Sequence, residues 1–235
     1  MIPLRDDQPT FSTPFINYFL IVLNVLVFLW ELSIGTQSHA LNAFMMQFGV
    51  VPHQTVAVLT GQSNGSPATA ILPLFTSMFL HGSFLHVGGN MLFLWIFGDN
   101  VEDYLGHFPY LLFYLASGLA ADFTHILLNA NSRVPSVGAS GAIAGVMGAY
   151  FILYPRARVL TWFPPIFFFH VPAWLMLGYW FFYNFLSGTA TSVAQTTQTN
   201  AGGVAFWAHV GGFVAGVLMI KAFRERPHRY RYGAW

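Results

Sequence analysis

Three separated segments of the sequence carry side chains that could do chemistry together. Gly138-Ala139-Ser140-Gly141 follows a polar, proline-containing loop and opens the apolar run from Ala142 to Tyr154. A serine there stands at a helix N-terminus, where unpaired backbone N–H groups and the positive dipole end stabilise nearby negative charge. That suits an oxyanion formed when a serine hydroxyl attacks a carbonyl. Alone, a Gly-x-Ser-Gly match in a chain with 22 Gly reads equally as an N-capping serine among packing glycines. The second segment is Ala208-His209, with Gly212 and Gly216 at i+3 and i+7 from the histidine. The ring therefore shares a helix face with a stripe of small residues. An ionisable residue within an apolar span is a candidate for function, although a packed structural histidine fits the isolated pattern too. The third segment runs from His81 to Asn90, HGSFLHVGGN. His86 and Asn90 are i, i+4, so their donors can converge on one small group, while His81 reads as satisfying loop backbone groups.

The elements that must position these groups are set by composition. The 235 residues are 55% hydrophobic and 7% charged, against roughly a quarter charged in an ordinary soluble domain. A water-soluble globule is excluded. The apolar residues fall in runs of about 17 to 22 residues without Lys or Arg, enough to cross a hydrocarbon core of about 30 Å. A net charge of +1 without a long basic run before the C-terminus argues against nucleic acid as a partner, and zero Cys excludes disulfide and thiol chemistry. The expected fold is an all-α integral membrane bundle of six transmembrane helices near 15–34, 84–98, 108–128, 140–154, 165–187 and 204–222. The expected organisation is a short cytoplasmic tail at 1–14, a membrane domain at 15–222 and a basic cytoplasmic tail at 223–235. The apolar stretch from Phe15 to Leu32 has no small-x-small cleavage pattern after it, so it reads as a retained first helix.

Orientation follows from the basic residues. Arg5, Arg156, Arg158, Lys221, Arg224, Arg226, Arg229 and Arg231 fall on one side under six spans, which places both termini in the cytoplasm; only Arg133 falls outside. Spans two and four are short, about 22 Å each, and need shelter inside a bundle. Span four carries its own stripe, Ser140, Ala144 and Gly148, with Gly141 and Gly145 alongside. If spans four and six pack through these faces, Ser140 meets His209 in the outer half of the membrane, level with His86 and Asn90. Residues 35–80 contain no Lys, Arg, Asp or Glu, which suits a loop resting in the membrane interface. Residues 188–203 are small, polar and uncharged, the composition of a mobile connection and a candidate lid.

With those residues in view, the sequence resembles the rhomboid intramembrane serine proteases over roughly residues 72–220. The resemblance implies that Ser140 is the nucleophile and His209 the general base. It implies oxyanion donors at His86, Asn90 and the Ser140 backbone N–H, with His81, Gly138, Gly141, Gly212 and Gly216 as structural neighbours. Gly98 and Glu102 match the family's glycine and glutamate at the inner end of the second helix, where Glu102 is structural. The resemblance implies no metal and no nucleotide cofactor. Expected partners are the lipid bilayer and membrane-protein substrates with a helix-destabilised transmembrane segment. Two departures stand out: Leu72-Pro73 replaces the Trp-Arg of the first outer loop, and Ala144 stands where many relatives place an aromatic under the histidine. Asp122 and His125, i, i+3 in span three, suggest a triad with His209, but the resemblance favours a dyad and gives Asp122 a packing role. Glu31 is expected to reach the headgroups. The short connections suggest a bacterial inner membrane. The alternatives are a rhomboid-like protein that binds and escorts membrane proteins without cleaving them, and a small transporter, which would be expected to carry a charged intramembrane pathway.

Overall fold

The computed structural model describes residues 1–35, 38–195 and 205–223. It is mostly helical: α1 Phe15–Ile34, α2 His39–Phe48, α3 Pro52–Leu59, α4 Pro67–Thr76, α5 Phe84–Leu105, α6 His107–Leu128, α7 Ser140–Leu153, α8 Ala173–Gln195 and α9 Phe206–Ile220. A single 3-10 turn, Ser77–Phe79, follows α4. The expectation of an all-α fold is corrected by an antiparallel sheet of three strands, β1 Ile2–Arg5, β2 Arg158–Phe163 and β3 Phe167–Pro172, in the order β1-β2-β3.

That sheet changes two boundaries. The expected fifth span at 165–187 is instead a β2–β3 hairpin followed by α8, because Val159–Phe163 and Phe167–Val171 are apolar through β-branched and aromatic residues that favour strands. The expected lid at 188–203 is helical as far as Gln195; the rest of it lies outside the described residues, as do Arg224, Arg226, Arg229 and Arg231. The N-terminal 14 residues are tied to the rest of the chain. Ile2 pairs with Trp162 and Arg5 with Leu160, and the backbone N–H groups of Phe11 and Ser12 donate to Asp103 at 3.0 and 2.9 Å.

Helices α1 and α6 are each long and apolar enough to cross a membrane, and α4 with its 3-10 turn makes a third span with α5 if the pair, bent by 78°, is counted as one. At 14 and 15 residues, α7 and α9 fall short of a full crossing by themselves. Burial explains how they are accommodated. Every residue of α7 from Gly141 to Tyr150 is buried, enclosed by α5, α6 and α9, whereas Val22, Leu26 and Leu29 of α1 face outward. The inward face of α1 carries Asn17, Asn24 and Glu31. Its first turn has no side-chain cap of its own; Glu102 of α5 takes the Ile16 and Asn17 N–H groups at 3.0 and 2.7 Å.

Candidate active site

Ser140 is the first residue of α7, and the chain reaches it through Gly138 at φ +130°. This is a conformation that glycine adopts without strain. A Cβ at Gly138 would also lie 2.7 Å from His86 Nε2, so glycine lets the imidazole rest against the loop backbone entering the helix. The Gly138 N–H donates to the Ser77 carbonyl at 2.8 Å. The loop before Ser140 is tied further to the first outer loop by reciprocal Val50 and Ser136 backbone bonds of 3.0 and 2.8 Å.

Close packing of α7 on α9 brings in the histidine. A Cβ at Gly212 would collide with the Gly141 carbonyl oxygen, and one at Gly216 with the Gly145 carbonyl oxygen. The two backbones therefore approach as side-chain-bearing residues would not allow. At that separation His209 Nε2 lies 2.7 Å from Ser140 Oγ. The other ring nitrogen, Nδ1, lies 2.6 Å from Asn184 Oδ1. Asn184 Nδ2 donates to the Trp180 carbonyl at 2.8 Å, which fixes the amide so that its oxygen faces the ring. Nδ1 then carries the proton and donates, leaving the Nε2 lone pair toward the serine hydroxyl. The Trp180 ring lies 5.5 Å from the imidazole at 36°. Asn184 and Trp180 supply the support for His209 that Ala144 lacks. Their signal in the sequence is slight: one amide within WFFYNF, one turn after a tryptophan.

On the opposite wall, Asn90 Nδ2 lies 2.9 Å from His81 Nε2, while His81 Nδ1 faces the Phe79 carbonyl at 3.3 Å. With Nδ1–H donating to that carbonyl, Nε2 accepts from Asn90. The His81 N–H donates to both Glu31 oxygens at 3.2 Å each. His81 thus orients Asn90 as well as closing its loop, and Glu31 is corrected from a headgroup-reaching residue to a buried anchor of the first outer loop. This anchor, with the Thr76 hydroxyl donating to the Phe48 carbonyl at 2.6 Å, stands where a Trp-Arg pair is missing. His86 is half-buried, with its ring 5.1 Å from that of His81. Ser140, His209, His86 and Asn90 all line one open cavity of about 680 Å³. Asp122 and His125 also line it, but among the described residues neither is hydrogen-bonded to His209, whose Nδ1 is taken by Asn184.

Fold and site define a helical membrane protein with a serine–histidine pair facing an open cavity. Residues 68–226 match the family model described as Rhomboid domain. The chain is 32% identical over 169 residues to Rhomboid protein 1, mitochondrial, of Saccharomyces cerevisiae, covering 68% of this chain and 45% of that protein. It is 32% identical over 201 residues to Presenilin-associated rhomboid-like protein A, mitochondrial, of Danio rerio, covering 82% and 48%. It is 31% identical over 175 residues to RHOMBOID-like protein 12, mitochondrial, of Arabidopsis thaliana, covering 68% and 48%. The chain belongs to the rhomboid family, whose members are generally intramembrane serine proteases acting on membrane proteins. It spans less than half the length of these relatives.

Proposed function

We propose that this chain is an intramembrane serine endopeptidase that cuts transmembrane segments of other membrane proteins near the outer face. The observation that carries the reading is the line from Ser140 Oγ to His209 Nε2 at 2.7 Å and from His209 Nδ1 to Asn184 at 2.6 Å. His209, neutral, takes the Ser140 proton as Oγ attacks the scissile carbonyl. The Ser140 backbone N–H, Asn90 and His86 hold the oxyanion. His209 then protonates the leaving amine, and a water activated by the same ring releases the acyl group and restores Ser140. Turnover should rise with pH as His209 loses its proton.

The accompanying topology has six crossings, with α7 and α9 sheltered in the bundle and both ends on the side of Arg5, Arg156, Arg158 and Lys221. A substrate enters sideways near α8. The mitochondrial names of the relatives point away from the bacterial plasma membrane expected from the short connections. An escort protein of the same fold would use neither Ser140 nor His209. Labelling with a fluorophosphonate separates the two: the protease reading expects labelling of the wild-type chain that is lost in Ser140→Ala and His209→Ala, together with cleavage of a model transmembrane substrate. Full turnover by purified Ser140→Ala would end the assignment.

A further inference from the structure

The β2–β3 hairpin leaves α7 at the end opposite Ser140 and leads directly into α8. Its two strands differ in what covers them. In β2 the burial alternates at its start, with Val159 and Thr161 buried, as expected of a strand with one face on protein. In β3 the first four residues are all exposed, and Ile166, Phe167, Phe168 and Phe169 each keep more than half of their surface open. Successive residues point to opposite faces, so neither face of the tip is covered by this chain. The tip is nonetheless well formed. Trp162 stacks on Phe168 at 6.4 Å and 14°, Phe163 meets Phe169 at 5.6 Å, and Trp162 Nε1 donates to the Pro165 carbonyl at 3.2 Å.

Three observations identify what covers it. The sequence has no Lys, Arg, Asp or Glu between Arg158 and Lys221, so the whole hairpin beyond its base can enter an apolar medium without burying a charge. The open surface continues into the start of α8, where Trp174 and Leu175 are also exposed. The charges sit at the base: Arg5, Arg156 and Arg158 are exposed, and among the described residues none of their guanidinium groups forms a salt bridge, while the Arg158 backbone N–H donates to Asp7 at 2.8 Å. Cations below an aromatic wedge match anionic phosphates above acyl chains. The depth is limited by β3 being an edge strand. Half of its backbone polar groups point away from β2, and they stay satisfied only where water and phosphates reach them.

We propose that the β2–β3 hairpin is a membrane anchor whose tip, residues 164–169, inserts into the headgroup–acyl boundary of the leaflet opposite Ser140. It holds the inner end of α8 in the plane of that boundary, with β1 strapped across β2 on the protein side. The inference rests on the chain being a membrane protein and not on its being a protease.

The chain has no cysteine, so Phe168→Cys and Ile166→Cys each create a single site for a nitroxide. The labelled full chain is reconstituted in vesicles of phosphatidylcholine and phosphatidylglycerol, and collision with oxygen is compared with collision with a water-soluble nickel chelate. Leu29→Cys on the open face of α1 gives the hydrocarbon reference and Asn64→Cys in the first outer loop the aqueous one. Both hairpin labels should show an oxygen-to-nickel ratio several-fold above that at Asn64 and below or equal to that at Leu29. A ratio equal to the Asn64 value at both sites overturns the anchor. So does shielding from both reagents with spin–spin broadening, which would make the tip a contact between two copies. If Phe168→Cys fails to fold, Ile166→Cys, at the more exposed position, decides.

Discussion

Ser140 and His209 come from helices joined through a hairpin and a further helix, yet Oγ and Nε2 meet at 2.7 Å because Asn184 leaves the histidine one direction in which to present its lone pair. Asn184→Ala should therefore lower kcat by about tenfold to a hundredfold, part of the about 10²- to 10⁴-fold range of a positioned base, with KM little changed. Steady-state kinetics on a model substrate read this, and an unchanged kcat would show that Asn184 does not position the base. Asn90→Ala should lower kcat by about 10²- to 10³-fold, the range for losing one oxyanion donor. Equal kcat with a raised dissociation constant would make Asn90 a binding residue instead. Ser140, His209, His86 and Asn90 stand out in the sequence because their types and spacings are unusual in apolar helices, and the fold gathers all four around one cavity. Asn184 does not stand out, since a lone amide among aromatics has no partner visible in the chain around it. Glu31 was misread for the same reason: its partner, the His81 N–H, lies 50 residues away.

At the scale of elements, the glycines do the positioning. Gly212 and Gly216 lie against the Gly141 and Gly145 carbonyls, so Gly212→Leu or Gly216→Leu should push α9 from α7 and cost most of the activity while touching no reacting group. A lowered melting temperature is expected alongside. Full activity and unchanged stability in both variants would sink the argument that this contact sets the Ser140–His209 distance. The stripes were readable in the sequence because helical spacing puts small residues on one face. The hairpin was not recognised, because its aromatics continue the apolarity of α8 and hydropathy cannot tell a strand from the start of a span. Pro164-Pro165 between two β-branched and aromatic runs was the available signal for a turn. The pairing of β1 was hidden altogether, as a four-residue strand is defined by a partner more than 150 residues away.

At the scale of the whole molecule, under the proposed protease function, the length of α7 sets where a substrate would be cut. Fourteen residues rise about 21 Å, against a hydrocarbon core of about 30 Å, so with the far end of α7 at one boundary Ser140 lies several Å inside the other. The cavity opens around Ser140, so the bond to be cut must come to it as extended chain. A helical substrate hides its carbonyls in i to i−4 hydrogen bonds, and breaking these in hydrocarbon costs several kcal/mol for each group left unsatisfied. Cleavage should therefore favour segments that unwind readily close to the outer face. Gly or Pro a few residues beyond the scissile bond lowers the unwinding cost, and a small residue before it suits a site crowded by Gly138 and Gly141. Replacing the outer-half Gly and Pro of a model substrate by Leu should reduce cleavage strongly, and mass spectrometry should place the remaining cuts in the same half. Undiminished cutting, or cuts in the half nearest the β2–β3 hairpin, would contradict both the recessed position of Ser140 and the orientation given to the bundle.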